Sequence, residues 1–182
     1  MKDVIILPER CMGCRSCEVA CAVSHSKSKN LFQALGEEKV PKKRISVEYI
    51  HALEASVPIS CRHCEDAPCV SVCPPTKALS KDTVTGTVNH NNELCVDCWK
   101  CSTVCTRFSP PLYLLLLVSG CWSSSMSHNY GVIDRQTEEG TIVRCDLCGE
   151  RELPACVEAC PTHALVFLDI KRHPETKAFS YF

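Results

Sequence analysis

The chain has 182 residues, a formal net charge of −1 and 17 cysteines. That length suits one domain or two small modules, and cysteine at about a tenth of the residues marks a special scaffold rather than an ordinary core. The first cysteine motif begins at Cys11, after an apolar run of only Val4 to Leu7; no secretory segment is expected, which sets a disulfide framework aside and points to the cytoplasm.

Along the chain, group one is Cys11, Cys14, Cys17 and Cys21. The polar stretch Ser24 to Lys43 carries Ser-Lys-Ser-Lys and Pro-Lys-Lys-Arg. It reads as a solvated loop or short helix, with a docking surface for an acidic partner as the sharper alternative. Ile45 to Tyr49 alternates apolar with polar residues and predicts a strand. Val57-Pro58-Ile59 leads into group two, Cys61, Cys64, Cys69 and Cys73. Asp82-Thr83-Val84-Thr85-Gly86 is turn chemistry and predicts a hairpin within Ala78 to His90. Group three is Cys95, Cys98, Cys101 and Cys105. Beyond it, Phe108-Ser-Pro-Pro precedes a wholly apolar run from Leu112 to Val118 and a Ser-rich run to His128. Seven apolar residues fall far short of the roughly 20 a membrane span needs, so no transmembrane segment is expected. A second hairpin is predicted over Val132 to Val143, turning at Glu138-Glu139-Gly140. Group four is Cys145, Cys148, Cys156 and Cys160, and Ala164 to Ile170 predicts a closing strand. No long amphipathic helix is expected; the fold class is α+β, with short hairpins and single-turn helices.

Each group opens with C-x2-C and closes with C-x3-C, the ligand spacing of ferredoxin-type [4Fe–4S] clusters. Two-residue loops bend the backbone around one corner of a cubane and aim peptide N–H groups at its sulfurs. The closing step, as from Cys17 to Cys21, is one helical turn, which carries the fourth thiolate away from the first three. In two-cluster ferredoxins that fourth cysteine ligates the other cluster. The groups must then work in pairs, and the spacing leaves the choice of pairs open. Cys73-Pro74 and Cys160-Pro161 add the proline that stops the helix where the chain leaves the cluster. Structural zinc uses two C-x2-C pairs per ion and rarely a third cysteine in step, so a zinc-stabilised binding module is the weaker alternative. A cubane core of about +2 held by four thiolates is net about −2; the loaded chain would be acidic, which argues against nucleic acid as a partner. No general base, nucleophile or open metal position is evident. The expected role is electron transfer, without a reaction of the chain's own.

The phrases Cys11-Met-Gly-Cys-Arg-Ser-Cys17, Cys61-Arg-His-Cys-Glu-Asp-Ala-Pro-Cys69 and Cys160-Pro-Thr-His-Ala-Leu165 resemble those of the four-cluster ferredoxin-type subunits of anaerobic oxidoreductases. The run Ser24 to Phe32 most resembles the carbon monoxide dehydrogenase-associated iron–sulfur proteins. The resemblance implies a catalytic redox partner of the carbon monoxide dehydrogenase, hydrogenase, formate dehydrogenase or molybdopterin-enzyme type, and a location at most peripheral to a membrane complex. A free-standing polyferredoxin is the alternative within the same chemistry. It also implies two nested ferredoxin-like modules in one polyferredoxin domain spanning 1–182: module A from 1–45 plus 140–170, and module B from 46–106. One cluster would take Cys11, Cys14, Cys17 and Cys160, and its neighbour Cys21, Cys145, Cys148 and Cys156. The third would take Cys61, Cys64, Cys69 and Cys105, and the fourth Cys73, Cys95, Cys98 and Cys101. Some relatives replace a group-three cysteine with tryptophan and hold a [3Fe–4S] cluster; here Cys98 is present beside Trp99, so four [4Fe–4S] clusters are expected and Trp99 is read as packing. Against the family pattern, 107–129 reads as an insertion, a surface loop holding the leftover Cys121 as a free thiol. His63 and His163 read as hydrogen-bonding or surface residues. Arg10, Arg15, Arg62, Lys100 and Arg144 flank ligands and read mainly as surface charge, with raising a nearby cluster's potential as the functional alternative.

Overall fold

The computed structural model describes residues 2–74, 76–105, 133–136, 141–149 and 151–169. The 107–129 segment with Cys121 and the turn expected at 138–140 lie outside the described residues. Eight strands form four two-stranded antiparallel sheets among these residues. The sheet of β1 (Lys2–Ile6) and β8 (Leu165–Asp169) joins the two ends of the described chain, with Ile6 opposite Leu165. Leu7 N–H extends it to Ala164 O at 2.8 Å. Here the sequence showed only a short apolar run, whereas Asp3, Ile5 and Ile6 are buried in a strand.

β2 (Ile45–Ile50) pairs with β3 (Ala55–Ser60) in the position expected for a strand at Ile45. β4 (Leu79–Lys81) and β5 (Val88–His90) make the first expected hairpin. Its turn is closed by Asp82, whose carboxylate accepts from Val84 N–H at 2.8 Å and from the Thr85 hydroxyl at 2.8 Å. β6 (Ile133–Gln136) and β7 (Thr141–Arg144) make the second.

The longest described helix, α1 (Ser16–Ser24), has 9 residues. α2 (Leu31–Ala34), α3 (Pro68–Ser71), α4 (Lys100–Thr103) and α5 (Ala155–Glu158) are single turns of 4. α2 falls in the stretch read as a loop or short helix; its Asn30 side chain accepts from Phe32 N–H at 3.1 Å and Gln33 N–H at 3.3 Å, as an N-cap should. Each of the other four begins immediately before a cysteine; α1 spans its whole C-x3-C step, while α3, α4 and α5 open the step and end before the closing cysteine.

Two small cores hold these elements. One gathers Ile6, Ile45, Val47, Val57 and Leu165 around Cys17, Cys21 and Cys156. The other gathers Ile59, Leu79, Val88, Ile133 and Ile142 around Cys101. β3 feeds both, Val57 into the first and Ile59 into the second. α1 packs on α5, and α3 on α4. Glu18 pins α1 to β2: its Oε1 accepts from Val47 N–H at 2.6 Å and its Oε2 from Lys43 Nζ at 2.7 Å.

Asp3 is 6% exposed, and burial, only partly offset by the Val4 N–H and the Arg62 charge, pushes its carboxyl up to about 7. A carboxyl raised on folding binds a proton more tightly in the native state, so stability falls as pH rises from the ordinary carboxylate range to about 7. Asp3→Asn should therefore match the parent at low pH, become the more stable of the two across that window, and keep the advantage above it. Anaerobic denaturant unfolding of both proteins across the pH series checks this.

Candidate metal centres

The backbone treats the four cysteine groups alike. In each, the residue immediately before the second cysteine is left-handed: Gly13 (φ 72°), His63 (48°), Asp97 (51°) and Leu147 (58°). Only Gly13 is free of the steric penalty, of order 1–3 kcal/mol, that such a φ imposes on an ordinary residue. A Cβ at Gly13 would also meet Ser56 Oγ at 2.7 Å. Left-handed residues within short loops turn successive N–H groups to one side and make an anion-binding concavity. The closing cysteines have a common feature as well. Cys21, Cys73 and Cys160 accept N–H bonds from Arg44 at 3.2 Å, Leu79 at 3.5 Å and Ala164 at 3.2 Å. These are residues at or just before the next strand.

The structure brings the sixteen candidate cysteines close together, and sorted by the expected ligand sets they occupy four neighbourhoods. A pocket of about 280 Å³, open mouth included, is lined by Cys11, Cys14, Cys17 and Cys160. One of about 340 Å³ is lined by Cys73, Cys95, Cys98 and Cys101, with Trp99 on its wall. Burial, then the neighbouring thiols of Cys61, Cys64 and Cys69, pushes Cys105 up to about 12. Burial, then Cys21, Cys148 and Cys17, does the same to Cys156, again to about 12, while Cys145, close to Cys61, Cys156 and Cys21, is driven well above its usual value chiefly by burial.

Three proximities run between neighbourhoods: Cys17 with Cys156, Cys61 with Cys145, and Cys69 with Cys101. The neighbourhoods therefore follow one another in a row. The end ones hold the two exposed cysteines, Cys14 and Cys98.

These sites fit a [4Fe–4S] group. Each offers four sulfurs of the right softness. Burial raises at least one thiol of each set, Cys17, Cys145 and Cys156, Cys69 and Cys105, and Cys101, whereas hydrogen bonds from Ser16 lower Cys14. All sixteen are free thiols with no disulfide among the described residues.

Polar side chains surround the inner two neighbourhoods. His25 donates from Nδ1 to Cys21 O at 2.7 Å and from Nε2 to Asp146 Oδ1 at 3.1 Å, so it is an imidazolium. Burial works against that charge, but the bonds to Asp146 and Cys21 hold it up to about 10. Arg44 also pairs with Asp146. His63, between Cys61 and Cys64, is 1% exposed and accepts from Val88 N–H at Nδ1, 3.0 Å. Its proton is therefore on Nε2, and burial followed by the Arg144 charge pushes its pKa down to about 3. The hydrogen-bonding role expected of His63 holds; His163 is exposed. Of the flanking cations, Arg10, Arg15 and Lys100 are on the surface as expected. Arg144 is not: it is buried at 4% exposure, because its guanidinium is turned inward onto Cys61 Sγ at 2.6 Å. Sequence reasoning saw a cation beside a ligand; it had no signal that the partner lay in group two.

Residues 54–109 match the 4Fe-4S dicluster domain family. Over 167 residues the chain is 33% identical to the electron transport protein HydN of Escherichia coli K12, covering 91% of this chain and 87% of that protein. It is 31% identical over 179 residues to an iron-sulfur protein of Rhodospirillum rubrum, covering 93% and 84%. It is 33% identical over 157 residues to the polyferredoxin-like subunit of an aliphatic sulfonate oxidoreductase of Pyrococcus furiosus, covering 86% and 70%.

Replacing His63 by Ala would leave the buried Val88 N–H without its acceptor, which costs about 1–3 kcal/mol. The expected result is a lower denaturant midpoint under anaerobic conditions with the iron content of the folded protein retained. His163→Ala, on the surface, should leave the midpoint unchanged.

Proposed function

From its membership of the ferredoxin-type electron transport proteins with 4Fe-4S dicluster domains, the family to which this chain belongs, we propose that it relays single electrons between a catalytic redox subunit and a second redox partner through four [4Fe–4S] sites with crossed ligand sets. Electron transfer itself is the function of the family, and its members are electron transport proteins or iron–sulfur subunits rather than the catalytic chains. When bound, the clusters supply reversible one-electron chemistry at tunable potential. The chain's part is to hold them, space them and keep water away.

In this reading Cys11, Cys14, Cys17 and Cys160 form one ligand set, and Cys21, Cys145, Cys148 and Cys156 the next. Cys61, Cys64, Cys69 and Cys105 form the third, and Cys73, Cys95, Cys98 and Cys101 the fourth. The carrying observation is the lining of the two outer pockets, each by three cysteines of one group and a single cysteine of another. The packing of α1 on α5 and of α3 on α4 supports the nested arrangement, with module A from 1–45 plus 140–170, module B from 46–106, and 107–129 an insertion. The row ends at Cys14 and Cys98, both exposed. Beside them stand Met12 at 67% and Val96 at 58% exposure, apolar side chains suited to brief contact with a partner.

The partner follows from family likeness. A relative that is a polyferredoxin-like subunit of an oxidoreductase supports a catalytic redox chain as partner; the hydrogenase, formate dehydrogenase, molybdopterin-enzyme and carbon monoxide dehydrogenase types come from the resemblance of the cysteine phrases. The carbon monoxide dehydrogenase assignment rests on the run Ser24 to Phe32 alone, and none of the three relatives' names carries it. No described helix is long and apolar enough to cross a membrane; a cytoplasmic site, in the chain itself or as part of a complex, accords with its unpaired thiols.

Anaerobically purified protein should contain about sixteen irons and as many sulfides per chain. The crossed sets are tested by single Cys→Ser variants read by EPR of the reduced protein. Cys160→Ser should perturb the same signal as Cys11→Ser, and Cys156→Ser the same signal as Cys21→Ser. If Cys160→Ser and Cys156→Ser strike one common signal, the crossing is wrong and group four binds a cluster by itself.

A further inference from the structure

Arg144 ends β7 and immediately precedes Cys145 of group four, yet its side chain serves group two. Nη2 donates to Cys61 Sγ at 2.6 Å and Nη1 to Val88 O at 2.9 Å. Val88 N–H in turn donates to His63 Nδ1 at 3.0 Å, so one residue of β5 yokes both side chains. Among the described residues Arg144 makes no ion pair with a carboxylate; Asp146, the nearest acid in sequence, is taken up by His25 and Arg44. Nε of Arg144 and Nε2 of His63 are buried with no hydrogen-bond partner. Two N–H donors are thus stranded where the row of cysteine neighbourhoods passes from its first half to its second.

A buried guanidinium is costly unless paired, and it cannot shed its proton to escape. The negative charge that compensates Arg144 is that of sulfur: the thiols of Cys61, Cys69 and Cys145 all act on it. Those three belong to different ligand sets, the second through Cys145 and the third through Cys61 and Cys69. The cation is therefore common property of the two inner sites, and its one direct sulfur contact is with the third.

We propose that Arg144 is the positioning residue of the junction between the two modules: a fixed cation that clamps Cys61 beside Cys145 and raises the reduction potential of the cluster Cys61 helps to bind. This rests on the ligand sets proposed above. The physical basis is general. Reduction adds negative charge to a cluster, so a permanent positive charge and an N–H donor on its ligand sulfur favour the reduced form. The clamp needs a fork, because two nitrogens of one plane serve two acceptors on different elements. Lysine supplies the charge but not the fork.

The test uses the full chain, loaded with iron and handled anaerobically, with potentiometric titration followed by EPR. Cys61→Ser and Cys105→Ser first identify the signal of the third site. Arg144→Met should then move that signal's midpoint to more negative potential and weaken its spin–spin interaction with the neighbouring signal. Arg144→Lys should restore most of the midpoint and little of the interaction. If Arg144→Met loses iron, Arg144→Lys decides alone: a parental midpoint with altered interaction sustains the role, and loss of iron there too reduces Arg144 to a folding residue and overturns it. An unshifted midpoint in Arg144→Met at full iron content also overturns it. If Cys61→Ser and Cys105→Ser strike different signals, the ligand sets are at fault; if they strike the same one and Arg144→Met leaves it in place, the sets stand and Arg144 has no such role.

Discussion

Thiols gathered at close range in a partly buried interior govern everything else in this chain. Burial and mutual repulsion push Cys17, Cys105 and Cys156 to about 12 and Cys101 to about 11. Near neutral pH such groups are not spontaneously anionic, yet an iron–sulfur cluster requires them as thiolates. Cation binding and deprotonation must therefore come together, and the binding free energy is also folding free energy. The rest of the architecture agrees with that dependence. Two-stranded sheets are marginal in water, and single-turn helices more so. The two apolar cores include cysteines among their own members. What would be leucine in an ordinary domain of this size is here a cysteine.

The same constraint explains the strained backbone. Three non-glycine residues, His63, Asp97 and Leu147, accept left-handed φ values before the second cysteine of their groups. The curl turns N–H groups inward at the cost of local strain, and the site that benefits bears the balancing interaction. Left-handed residues occur elsewhere too, at Lys29, Glu54 and Lys77, but their recurrence at one step of every cysteine group fits a site built around a charge. Polar side chains surround the inner neighbourhoods: His25 as a cation donating to Cys21 O, His63 as a neutral acceptor of Val88 N–H, Arg144 as a cation donating to Cys61 Sγ.

What the sequence made legible was local. The helical step from each third cysteine to the fourth, the hairpin closed by Asp82 and the strand at Ile45 all depend on residues within a few positions of one another. What it hid was long-range. All four groups share one spacing, so nothing near Cys160 says that Cys11, Cys14 and Cys17 are its neighbours; only a family likeness suggested it. β1 is five residues whose partner is β8 at the far end of the described chain, and so short a run declares itself only when paired. Arg144 looked like any cation beside a ligand, because the acceptors that bury it, Cys61 and Val88, are more than fifty residues away in sequence. Of the left-handed positions before the second cysteines, only Gly13 was announced by its residue type.

If 107–129 is an insertion, as proposed above, the topology lets the chain carry it at little cost. The contact of α1 with α5 closes a loop of roughly 135 residues between Cys21 and Cys156. The entropy of closure grows only as the logarithm of loop length, about 0.6 kcal/mol per doubling. Lengthening an already long loop by that segment costs about 0.2 kcal/mol on this scale. The same residues placed between Cys11 and Cys21 would destroy a ligand set, and between Cys61 and Cys73 they would do the same. On that reading the insertion is tolerable because it falls between groups, beyond Cys105. The chain pays in kinetics instead: the neighbourhoods of groups two and three can assemble over short loops, whereas those of groups one and four wait for the two ends of the chain to meet.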